Sequence, residues 1–225
     1  MHRIKTFGVA LIAMMAMGAV AASLASANEF TATEYPVTLT GFDEAGFAPV
    51  FTTTAGTVQC PTATYHATVE KATTSVPVTP TYSGCTAFGF PAVIDLNGCT
   101  YKFNIGAGET TEGTADLVCP AGKEITVTAI SAGIVKCTVH VAPQTGLGSL
   151  KYTNILTKET DPPSTEEITI DVTLQKIKYS HTQGTGLGSC PSGAGEGSLG
   201  GKVVVTGERD IPNNGEHIGI RLSIA

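Results

Sequence analysis

The sequence predicts an all-β protein: an antiparallel β-sandwich or barrel of about 10–13 short strands, stapled by disulfides. Three observations predict it. Apolar and polar residues alternate along thirteen segments, and helical i, i+3, i+4 spacing is scarce after residue 28. Gly, Pro, Asn and Asp punctuate those segments at turn positions. Six cysteines follow a segment with the pattern of an export leader.

The leader comes first. Arg3 and Lys5 form its positive start, and Phe7 to Val20 is a run of apolar and small residues. Ala25-Ser26-Ala27 fits the small-x-small cleavage rule, so 1–27 reads as a signal peptide cleaved between Ala27 and Asn28. The apolar run of 14 residues is shorter than the roughly 20 that span hydrocarbon. Residues 28–225 then form a single secreted or extracellular domain, with cell-surface association as a variant of that reading. All four Met residues belong to the leader, and the chain has no Trp. Removing Arg3 and Lys5 takes the net charge from −6 to −8. That acidic balance, without clustered Lys and Arg, excludes sequence-independent nucleic-acid binding.

The predicted strands are 34–40, 49–53, 62–69, 76–82, 92–96, 99–105, 115–119, 124–130, 134–141, 150–155, 168–179, 202–206 and 216–224. Thr supplies 33 of the 198 mature residues, which suits strands. Alternation also assigns faces. Ala63, Tyr65, Ala67 and Val69 share one, and Cys99, Tyr101, Phe103 and Ile105 share another. Ile168, Ile170, Val172 and Leu174 share a third, but Ile177 and Tyr179 continue on the opposite parity. A bulge near Gln175–Lys176 is expected there. Pro212-Asn213-Asn214-Gly215 marks a final hairpin. Residues 157–167 and the Gly-rich 183–201 read as long loops.

Disulfides are the expected state of Cys60, Cys85, Cys99, Cys119, Cys137 and Cys190. Cys60, Cys119 and Cys190 each precede Pro, and Cys85, Cys99 and Cys137 each precede Thr. A cysteine of one kind bonded to one of the other is the economical reading. Cys119–Cys137 is the favoured pair, on two antiparallel strands with inward sulfurs. Likeness between 58–61 and 117–120, and between 99–103 and 137–141, points to duplicated units at 57–107 and 114–156. It gives Cys60–Cys99 and Cys85–Cys190 as the other bridges. The competing solution is Cys85–Cys99 with Cys60–Cys190.

No catalytic, metal or cofactor residue is assigned. Gly195-x-Gly197-x-x-Gly200 matches a dinucleotide fingerprint by letters, but a strand, Val203-Val204-Val205, follows instead of a helix. Gly200-Gly201-Lys202 fails the spacing of a phosphate loop. Strand parity puts His66 and His140 on polar faces. Ser131 lacks the setting of a nucleophile elbow. The acids fall mainly in turns, and all six cysteines are committed to bridges.

EYPVTLTG (Glu34–Gly41), FTTTAGTVQCP (Phe51–Pro61), PTYSGCTAF (Pro80–Phe88), NGCTYKF (Asn97–Phe103), VCPAGKEI (Val118–Ile125) and CTVHVAPQTGLG (Cys137–Gly148) carry a resemblance. The chain resembles a group of secreted, β-rich, six-cysteine actinobacterial proteins with no assigned activity. The resemblance implies export and a disulfide framework, and carries over no functional residue. The expected function is that of a non-enzymatic structural or binding module outside the membrane. The alternative is a β-barrel carrier of a small apolar ligand. The partner is then a cell-surface component or a small ligand.

Overall fold

The computed structural model describes residues 28–106, 111–155, 167–185, 190, 192–210, 217–220 and 222–224. The predicted leader, residues 1–27, lies outside them, as do most of the predicted loop at 157–167 and the predicted Pro212–Gly215 turn. The elements are β1 (Phe30–Ala32), β2 (Val37–Asp43), β3 (Val50–Thr53), β4 (Gly56–Gln59), β5 (Thr62–Val69), β6 (Ser75–Ser83), β7 (Thr86–Ala87), β8 (Phe90–Asp95) and β9 (Thr100–Ile105). They continue as β10 (Glu112–Val118), β11 (Ile125–Ser131), β12 (Ile134–Val141), β13 (Gln144–Ile155), β14 (Glu167–Gln183), β15 (Gly193–Asp210), β16 (His217–Ile220) and β17 (Leu222–Ile224). The fold is all-β and antiparallel. Each of the thirteen predicted segments carries strand. β1, β4 and β7 are additional.

The strands close into two barrels. β15, β2, β5, β6, β9, β10, β13 and β14 pair in that order, and β14 pairs β15 to complete a ring of eight. β14, β12, β11, β8, β7, β4, β3 and β15 make a second ring of eight, closed by β3–β15 and β14–β15. Closure pairs the sheet edges that an open sandwich would leave free. The chain weaves between the rings: β3–β4 belong to the second barrel, β5–β6 to the first, β7–β8 to the second, β9–β10 to the first and β11–β12 to the second. The long β14–β15 hairpin runs through both. Residues 167–173 of β14 pair β13 of the first barrel, and 180–183 pair β12 of the second.

The predicted bulge is present. The β14–β15 register shifts between Leu174 and Ile177, and Lys176 has φ 57°. One extra residue reverses the parity, so Leu174 and Ile177 both turn inward and are buried. The predicted loop at 183–201 is a correction: from Gly193 onward it is β15. Two of its glycines, Gly195 and Gly197, face neighbours that leave no room for a Cβ. A Cβ on Gly195 would lie 2.7 Å from the Tyr179 hydroxyl, and one on Gly197 would lie 2.8 Å from the Phe51 ring. At these two positions glycine marks close approach, not freedom.

All six cysteines are bonded, as Cys60–Cys85, Cys99–Cys119 and Cys137–Cys190. Each bridge does join a Cys-Pro to a Cys-Thr cysteine. The expected partners are corrected throughout: Cys119–Cys137, Cys60–Cys99 and Cys85–Cys190 do not form, nor do Cys85–Cys99 and Cys60–Cys190. The weave is the reason. β10, which leads into Cys119, pairs β9 and β13 in the first barrel; β12, which holds Cys137, pairs β11 and β14 in the second. Cys119 instead continues the β9–β10 register one step past Val118↔Thr100, opposite Cys99. Cys60 and Cys85 likewise extend the β5–β6 register beyond Thr62↔Ser83. The units 57–107 and 114–156 therefore do not repeat one bonding scheme.

Candidate functional site

The interior offers two lumens and the seam between them. In the first barrel, inward residues of β2, β5, β6, β9, β14 and β15 meet a strap. The strap is β1 paired with β17, and an isolated Phe30↔Thr73 bridge ties it to the barrel. Beneath it lies a void of about 60 Å³ bounded by Val37, Leu39, Ala67, Val76, Phe103, Ile170 and others. The lining residues with a polar group in the side chain are Thr31, Tyr35 and Tyr65, and the Thr31 and Tyr35 hydroxyls are already bonded, to Ser223 and to the Ala32 N–H. The Phe30 ring packs edge-on against Tyr152 at 5.1 Å. In the second barrel, Phe51, Val58, Ile94, Val127, Ile177 and Leu199 help to bound a void of about 80 Å³.

Tyr82 and Tyr101 line that second void too, although both stand on first-barrel strands. Their hydroxyls are 3.4 Å apart at the seam. Asp43, Tyr65, Tyr82 and Tyr101 surround a pocket of about 20 Å³, room for about one water. Asp43 Oδ2 accepts the Ala63 N–H at 2.7 Å, while its buried Oδ1 has no hydrogen-bond partner. Burial pushes the carboxyl above its ordinary range, against the Ala63 bond, which pulls it down. Burial raises all three phenols as well, and the Tyr82 bond partly offsets this at Tyr101.

In the second barrel His181 is buried, its ring 4.8 Å from Tyr179 and 6.0 Å from Phe88. Its Nε2 has no partner, and burial lowers its pKa. Tyr179, by contrast, accepts the Thr54 N–H at 2.8 Å. On the outside, His140 Nδ1 meets Glu124 Oε1 at 2.7 Å and its Nε2 meets Thr182 Oγ1 at 3.0 Å. His66 is exposed. Gly195, Gly197, Gly200, Gly201 and Lys202 all lie within β15, so no helix N-terminus follows the glycine motif. Among the described residues, no group of three His, Cys, Asp or Glu side chains is arranged to hold a metal.

No family model, curated protein or solved structure matches the chain. Three disulfides are the state of an oxidising compartment. Among the described residues, no helix is long and apolar enough to cross a membrane.

Sequence reasoning passed over Asp43 and His181, yet parity carried the signal for both. Val37, Leu39, Gly41 and Asp43 are one inward row of β2. Ending the predicted strand at Thr40 removed Asp43 from that row. Ile177, Tyr179 and His181 are another such row, and ending its strand at Tyr179 hid the histidine.

Proposed function

We propose that the chain is an exported, non-enzymatic binding module that works outside the membrane. The observation that carries this reading is the outer face of β15, β2, β5 and β6. Register aligns Thr206, Thr40, His66 and Thr79 in one row, and Val204, Phe42, Thr64 and Thr81 in the next. Glu208, Thr38 and Thr68 form a third. His66 and Glu208 are the only ionisable groups in these rows. Phe42 stands among the hydroxyls half exposed, at 50%. Such a face suits a neutral, hydroxyl-rich surface and gives little purchase to a charged one. The resemblance to secreted six-cysteine proteins supports the same location.

Co-sedimentation of the mature protein with cell envelopes tests the reading, wild type against the double variant Phe42→Asp/Thr64→Lys. Retention of wild type and loss of the variant support it. Equal retention of both moves binding to another face, and no retention of wild type removes the module reading. A second reading, a carrier of a small apolar ligand, is favoured by the void in the first barrel. Eight-stranded barrels are wide enough to be filled by side chains or to hold one small ligand.

A further inference from the structure

We infer that the lumen of the first barrel is a binding site for one small, neutral, apolar group, a single hydrocarbon ring or a short chain, and that Phe30 occupies its mouth in the unliganded protein. This rests on the carrier reading and names its site, ligand class and gate.

Three observations converge on it. The first is chemistry. Every side chain around the void is apolar, or is the hydroxyl-bearing Thr31, Tyr35 or Tyr65, and none carries a charge. An ion there would lose its water with no counter-charge to replace it. Apolar voids in proteins stay dry and accept apolar guests. The second is size. The void of about 60 Å³ is well below the roughly 300 Å³ at which drug-sized pockets begin. Only with the space of the Phe30 ring added does it suit one ring or a short chain.

The third is the fastening of Phe30. The Phe30 N–H donates to Thr73 O at 2.8 Å and the Thr73 N–H returns to Phe30 O at 3.2 Å. Thr31 Oγ1 donates to Ser223 O at 3.0 Å, and Asn154 bonds the backbone of Ile224 at 3.0 and 3.3 Å. No disulfide includes a strap residue. Segments held by a few partly exposed hydrogen bonds open without global unfolding. Withdrawing Phe30 leaves the barrel wall, β2, β5, β6, β9, β10, β13, β14 and β15, fully paired.

Phe30 therefore competes with any guest. A ligand that binds only the open form has its affinity reduced by the fraction of protein that is open. Removing the competitor raises affinity, and filling the lumen lowers it.

The test is a ¹⁹F NMR titration of the mature protein with fluorobenzene. The wild type should give a saturable shift. Phe30→Ala should bind at least about fivefold more tightly, since the mouth is vacant without strap opening. Ala67→Leu, which places a larger side chain in the void, should bind at least about tenfold more weakly. Circular dichroism checks that both variants fold, and Ala67→Val replaces Ala67→Leu if it does not. Saturable binding that neither variant changes overturns the site but leaves the carrier reading, with the guest elsewhere. Unchanged or weaker binding by Phe30→Ala, with Ala67→Leu weakened, overturns the gate. Absence of saturable binding by both wild type and Phe30→Ala overturns the site and the carrier reading together.

Discussion

The two barrels have the same strand number and share a hairpin, yet they are fastened differently. Two disulfides sit where the chain crosses between them. Cys60–Cys85 brackets the β5–β6 hairpin and Cys99–Cys119 brackets β9–β10, each at the seam. Cys137–Cys190 ties β12 to the segment between β14 and β15, inside the second barrel. The far end of the first barrel has no covalent tie and is covered by a strap held by hydrogen bonds and ring contacts. Covalent constraint thus falls on the crossings, where topology is complex, and is absent from the strap that covers the void of the first barrel.

The largest expected effect breaks the fastened side. Replacing both Cys137 and Cys190 by Ala opens the longest loop, with a separation of 53 residues against 25 and 20 for the other bridges. The chain-entropy relation gives about 4 kcal/mol for that loop and roughly 3.5 kcal/mol for the shorter ones. Denaturant titration of the three double variants checks the ranking, and non-reducing peptide mapping checks the pairs. A Cys137–Cys190 variant less affected than either seam variant would contradict the loop-length argument.

Next comes the glycine row. β15 presents Val203 to the first lumen but Gly197 and Gly195 to the second. Gly197→Val would drive its side chain into the Phe51 ring and Thr52 O. A loss of about 1–3 kcal/mol is expected by denaturant titration, the usual range for overpacking. The reciprocal change, Val203→Ala in the first barrel, creates a hole rather than a clash. It should enlarge the void and tighten fluorobenzene binding, which Gly197→Val should not.

These sites show how far the sequence reached. The thirteen alternating segments were legible because each strand has one face against a lumen and one against solvent. The bulge at Lys176 was legible because a parity change inside one segment has few other causes. The barrel partition was not. Nothing local distinguishes β5–β6 from β7–β8, and only the pairing of β14 and β15 with strands far away in sequence separates the rings. Every disulfide depended on that partition, so the Cys-Pro to Cys-Thr rule survived while its application failed. The 183–201 stretch misled because glycine signals loops in general, whereas here it makes room for Tyr179 and Phe51.

Acidity sharpens the comparison, because each barrel holds a titratable group that burial shifts. His181, in the second barrel, has a lowered folded pKa, so the unfolded chain binds the extra proton first. Its contribution to stability is present above the ordinary histidine value and is lost as pH falls from there toward the folded one. Asp43, at the first barrel's seam, has a raised folded pKa, so its ionised form disfavours the fold. Its contribution is present at low pH and lost as pH rises through the folded value. Denaturation midpoints at pH 7.5 and pH 5 should therefore fall with acid in wild type and fall less in His181→Phe. Asp43→Asn keeps an oxygen for the Ala63 N–H and should match or exceed wild type at pH 7.5. A His181→Phe profile as steep as wild type would assign the acid sensitivity elsewhere.

The smallest effect probes the unfastened end. Asn154 accepts the Ile224 N–H and donates to its carbonyl, both exposed. Exposed hydrogen bonds contribute little net, because water replaces them, so Asn154→Ala should cost no more than about 1 kcal/mol of global stability. Its effect on the strap should be out of proportion to that figure. The hydrogen-bonded amides of Phe30 and Thr73 exchange when the strap lifts, whereas that of Leu150, a fully buried residue of β13, waits for the barrel to open. In Asn154→Ala, exchange at Phe30 and Thr73 should quicken several-fold while Leu150 changes little. Equal acceleration at all three would mean that strap and barrel open as one unit, and the contrast between a fastened second barrel and a loosely covered first one would lose its dynamic content.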